Sequence, residues 1–82
     1  TSMYRVINEV RAQRLLEQAV SLPQGDDPVL WDHLGDVYAR RKQHDRARAA
    51  WTRAVELYRK GVRFPRDPRH HEIQEKLRAV QP

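Results

Sequence analysis

The chain has 82 residues, a net charge of +5 and no cysteine, which excludes a disulfide framework, a thiolate metal site and a cysteine nucleophile. Apolar residues make up 39% and charged residues 33% of it, with no apolar run near the length a membrane-spanning helix needs, and the same balance argues against a mostly disordered chain. A domain this small buries only about 60 to 65% of the surface its unfolded chain exposes, so any core must be economical. No targeting segment is recognisable at the start, and the cytoplasm is the working expectation.

Thr1 and Ser2 precede Met3 and read as residues of a cloning junction, leaving 3–82 as a single domain. From Tyr4 to Leu22, Val6, Ile7, Val10, Ala12, Leu15, Leu16, Ala19 and Val20 recur at three- and four-residue intervals, which predicts a first helix ended by Pro23 and Gly25. Asp27 and Pro28 then supply a capping acceptor and a first-turn proline for a helix to Arg40, with Leu30, Trp31, Leu34, Val37 and Tyr38 as its apolar set. The polar stretch Arg41 to His44 predicts a tight turn. A third helix is expected from Asp45 to Lys60, carrying Ala47, Ala50, Trp51, Ala54, Val55, Leu57 and Tyr58, with Gly61 closing it. Phe64 and Pro65 fall in a linker, and Asp67 with Pro68 repeat the cap-then-proline opening for a last helix whose stripe is Ile73, Leu77 and Val80. The expected fold is therefore all-α, with about four helices in antiparallel hairpins.

Ala12, Leu16 and Ala19 recur as Ala47, Trp51 and Ala54, a small-large-small spacing offset by 35 residues. Between them, Trp31, Leu34, Gly35 and Tyr38 fit the pattern W-x2-L-G-x2-Y. Continued through Ala47, Trp51 and Ala54, this resembles the tetratricopeptide repeat, a helix-turn-helix unit of about 34 residues. The resemblance covers a full repeat over 28–61, the second helix of a partial repeat over 3–22 and a capping helix over 67–80. The sequence departs from the pattern at Lys42, where a turn glycine is usual, and at Arg59, where the closing proline is usual. Gly35 has its own physical reason. In mid-helix it costs about 0.5 to 1 kcal/mol relative to alanine, a cost expected where another helix approaches closely.

The resemblance implies a binding groove on the Pro28 to Arg40 helix, formed by Val29, Asp32, His33, Asp36 and Arg40 beside Ala39. Asp32 and Asp36 are like charges four apart, an arrangement that favours a basic peptide or protein partner unless nearby arginines neutralise it. The carboxylate-gripping clamp of some such repeats, made of Lys, Asn and Arg, has no counterpart here. The first helix offers a second surface, with Val6, Val10 and Leu16 as candidates for homo-oligomer formation.

The charge is unevenly composed, 13 Arg against 3 Lys. A nucleic-acid reading would use Arg40, Arg41, Lys42, Arg46, Arg48 and Arg53, then Lys60, Arg63, Arg66 and Arg69, with Phe64 stacking on a base. Against it, many cations lie a helical turn from an acid, as in Glu56 with Lys60, Glu72 with Lys76 and Glu75 with Arg78. His33, His44, His70 and His71 lack metal-ligand spacing, so neither metal nor cofactor is expected. No nucleophile, base and acid fall into a catalytic motif. The function expected is that of a non-enzymatic protein-interaction module, with self-assembly and nucleic-acid binding as alternatives.

Overall fold

The structure is a computed structural model that describes residues 2–61 and 69–80. Four α-helices follow one another, α1 (Ser2–Ser21), α2 (Pro28–Arg40), α3 (His44–Lys60) and α4 (Arg69–Val80), and no strand occurs among the described residues. The expected linker features Arg63, Phe64, Pro65 and Arg66, and the cap formed by Asp67 and Pro68, lie outside the described residues.

Helix α2 starts as its sequence dictates. The Asp27 carboxylate accepts from the Val29 N–H at 2.8 Å, and Pro28 sits in the first turn, where no amide hydrogen is needed. Its other end is a Schellman closure: the Gln43 N–H donates to the Tyr38 carbonyl at 2.8 Å and the Lys42 N–H to that of Ala39 at 3.0 Å. Such a closure requires a left-handed residue, and Lys42 adopts φ 60 where the repeat pattern has glycine. The turn then feeds α3 one residue earlier than expected, at His44. Gly61 does close α3, but in an extended conformation at φ −77 rather than a left-handed one.

The core lies between α2, α3 and α4. Leu34, Tyr38, Ala47, Ala50, Trp51, Ala54, Val55, Tyr58 and Ile73 form one buried cluster, flanked by the partly buried Leu16, Val20, Trp31, Leu77 and Val80. Trp51 is its keystone. The indole lies flat against Gly35 of α2, so close that a β-carbon there would come within 2.3 Å of its Nε1. That N–H donates to the Asp32 carbonyl at 3.2 Å, which fixes the ring across the helix pair. On α4, Ile73 is fully buried.

Helix α1 contributes less to this core. Its eight regularly spaced apolar residues do not share one face: Leu15 and Leu16 are neighbours, so a helix turns them to different sides. Leu16 and Val20 face the core, whereas Ile7 and Leu15 face away from it.

Gly35→Ala tests the close approach directly. The substitution should lower stability by about 1–3 kcal/mol through overpacking against the indole, more than offsetting its gain in helix propensity. Urea unfolding reads this as a reduced midpoint, and an unchanged or raised midpoint would show that Trp51 shifts at no cost.

Candidate functional site

The acidic pair on α2 sits one turn apart on the side that α4 approaches. Lys76 of α4 reaches across, its Nζ 3.0 Å from Asp32 Oδ1 and 2.9 Å from Asp36 Oδ1, and lies 5.9 Å from the centre of the Trp51 ring. Partial burial works against the charge of Lys76, but the hydrogen bonds and charges of Asp36 and Asp32 overcome it and raise the ammonium pKa. The like-charge cost of the pair is thus met by Lys76, and Arg40 turns elsewhere, with its Nε 3.5 Å from Glu9 of α1. The expected pairing of Lys76 with Glu72 gives way to this contact. Lys76 follows Ile73 by three positions and so shares the inward edge of α4, a signal present in the sequence. Of the helix-turn pairs, Glu75 and Arg78 do meet, at 2.8 Å, while Glu56 is engaged by Arg53.

The remaining groove candidates are spread along α2. Val29 is half-buried in the first turn, His33 is exposed, and Arg40 is exposed at the far end beside a shallow depression lined by Arg5, Asn8, Glu9 and Ala12. The structure therefore gathers Asp32 and Asp36 into one cluster with Lys76 and leaves Val29, His33 and Arg40 outside it.

A second polar assembly joins α1 to α2. Arg41 donates to Gln13 at 2.5 Å, Gln13 donates to Glu17 at 3.4 Å, and the Tyr38 hydroxyl donates to the same Glu17 carboxylate at 2.6 Å. Sequence reasoning passed over Gln13 and Glu17, although they lie four apart beside Leu16 and Val20 on the face that meets α2. At the loop before α2, Asp26 accepts from the Trp31 indole at 2.9 Å and from the Arg53 guanidinium. The bond from Arg53, and then that from Trp31, hold the Asp26 carboxyl below its usual range.

These contacts also dispose of several basic residues. Arg40, Arg41, Arg48 and Arg53 are engaged by acids or amides of the chain, and the Arg69 guanidinium lies 5.3 Å from the centre of the Tyr58 ring. Arg63, Phe64 and Arg66 lie outside the described residues. His33, His44 and His71 are exposed and His70 is buried. Among the described residues no three His, Asp or Glu side chains converge as a metal site would require. No described helix is long and apolar enough to cross a membrane.

The self-association candidates divide. Val6 is exposed and Val10 half-buried, but Leu16 packs against the core of its own chain, turned inward with Val20, and so is not on the open side of α1. The open side instead carries Met3, Tyr4, Ile7 and Leu15. No protein-family model matches the chain, and no curated protein or solved structure matches it significantly.

Two measurements test this wiring. Lys76→Met leaves Asp32 and Asp36 facing each other unrelieved and should cost about 1 kcal/mol, a value kept small because the ammonium is partly solvated. Adding Asp32→Asn and Asp36→Asn should recover most of that loss in the same unfolding assay, and no recovery would break the assignment. The Tyr38 phenol is pushed from 10.0 up to about 12, by burial first and then by its hydrogen bond to Glu17 and that group's charge. The folded state holds this proton more tightly than the unfolded chain, so its contribution is intact below pH 10.0 and is lost as pH climbs toward about 12. Stability should fall across that window, and Tyr38→Phe should flatten the fall.

Proposed function

We propose that this chain is a non-enzymatic interaction module of the tetratricopeptide type, a rigid helical scaffold that presents helix faces to a protein or peptide partner. The row of apolar side chains that α1 holds in water carries this reading: Met3 and Tyr4 are each 75% exposed, Leu15 66% and Ile7 45%. A domain that must economise on its core has little reason to leave so many large apolar groups on one helix unless another surface covers them. The arrangement of Gly35 with Trp51 and the left-handed turn at Lys42 support the repeat-like character of the α2 to α3 hairpin that holds the scaffold stiff.

The α2 face belongs to the same reading with one adjustment. Its acids are engaged by Lys76, so a basic partner there has to displace an ammonium already in place. Replacing Asp32 and Asp36 by lysine would set three cations together and perturb the fold, which makes it a poor test of binding. Self-association through α1 is the second reading and draws on the same exposed row. Light scattering across concentration separates the two, since a defined dimer would cover the row with a second copy.

Leu15→Glu is the direct test. Leu15 touches no part of the core cluster, so the variant should keep native helicity and unfolding. Proteins captured by the native chain from a lysate of its source should be lost by this variant. An identical captured set would remove α1 as the binding face and the proposal with it.

A further inference from the structure

Four of the five charges of α1 are sorted by side. Its two acids turn inward: Glu9 meets Arg40 of α2, and Glu17 accepts from Tyr38. Its three arginines are all exposed and none has an acidic partner among the described residues; Arg11 and Arg14 lie on the opposite side from the acids, while Arg5 lines the depression beside Glu9 and Arg40. Tyr4, Ile7, Arg11 and Leu15 follow one another at steps of three and four residues, so they form one ridge along the exposed side, with Arg14 on its flank. At 1.5 Å per residue that ridge is about 16 Å long.

From this sorting we infer that the open face of α1 docks an amphipathic helix of a partner protein, one whose apolar stripe is bordered by Asp or Glu. The inference rests on the reading of the chain as an interaction module and adds the chemistry of the partner. Tyr4, Ile7 and Leu15 offer knobs at the spacing that another helix accepts in its grooves. Arg14 on the flank is positioned to meet a carboxylate at the border of that stripe, and Arg11, rising from the ridge itself, reaches the same border with its long side chain, where guanidinium groups pair bidentately. A second copy fits poorly. It presents the same exposed arginines and no acid on this face, so cation meets cation whichever way the two helices run. A lipid surface fits poorly as well, because Arg11 stands in the middle of the apolar ridge and would enter the hydrocarbon boundary along with it.

The test uses the full chain and two synthetic helical peptides that share one leucine heptad face, one bordered by glutamates and the other by lysines. Fluorescence anisotropy should show the acidic peptide binding about tenfold or more tightly than the basic one, with an advantage that shrinks as salt rises. The double variant Arg11→Glu, Arg14→Glu should reverse the preference, and Leu15→Glu should weaken both peptides while circular dichroism stays native. Equal affinity for the two peptides, or a preference that the double variant leaves unreversed, overturns the inference. So does a solution mass that doubles without peptide, which would make a second copy the occupant. Binding of phosphatidylserine vesicles in place of either peptide overturns it in favour of a lipid surface. If the acidic peptide fails while Leu15→Glu still strips captured proteins, the module stands and only the acidic helix falls. If Leu15→Glu changes no capture, the module reading itself falls.

Discussion

Everything else in this domain hangs on the contact between the Trp51 indole and the backbone of α2. A large flat side chain is brought against a helix only where that helix has no side chain of its own, and Gly35 is that position. The contact is also directional, because the indole N–H ends on the Asp32 carbonyl. Ala47, Ala50 and Ala54 line α3 around the tryptophan, so one bulky group surrounded by small ones sets the distance between the two helices. Such a wedge gives a small chain a defined helix pair from few large residues, which suits a domain with little interior to spend.

The outer helices are joined to this pair by different means. Helix α4 enters the core through Ile73 and adds an ion cluster, Lys76 with Asp32 and Asp36, at the edge of the same contact. Helix α1 inserts only the flanks Leu16 and Val20, and much of its attachment is polar, through Gln13, Glu17, Tyr38 and Arg41 and through Glu9 with Arg40. Hydrogen bonds of this kind contribute modestly to net stability but hold orientation well, because each leaves an unsatisfied group if the helix rotates. The inward acids and the outward Arg11 and Arg14 of α1 follow from that fixed rotation.

The helix pair at the centre was legible in the sequence because its signals are local. Asp27 and Pro28 announce a helix start in two adjacent residues, and the spacing of Trp31, Leu34, Gly35, Tyr38, Ala47, Trp51 and Ala54 fixes which sides meet. Lys42 could be flagged only as a departure from the repeat pattern, yet the turn geometry holds it left-handed all the same. What could not be read was the outcome of long-range choices. Eight apolar residues on α1 fit more than one stripe, and only the position of α2 decides that Leu16 is inside and Leu15 outside. Lys76 had an acid one turn away on its own helix and two on another, and the inward edge beside Ile73 gave it to the distant pair. The groove candidates were named from α2 alone, so the approach of α4 to the same side was invisible to them.

The way α1 is held also sets the hierarchy of the fold. It supplies no apolar residue to the fully buried cluster, so its detachment breaks side-chain hydrogen bonds and half-covered contacts while the wedge of Trp51 on Gly35 survives. The apolar interior is thus closed by the other three helices, and α1 is seated on it chiefly by polar contacts to α2. A substitution on the outward side of α1 therefore meets solvent and leaves untouched the interior that keeps the chain folded.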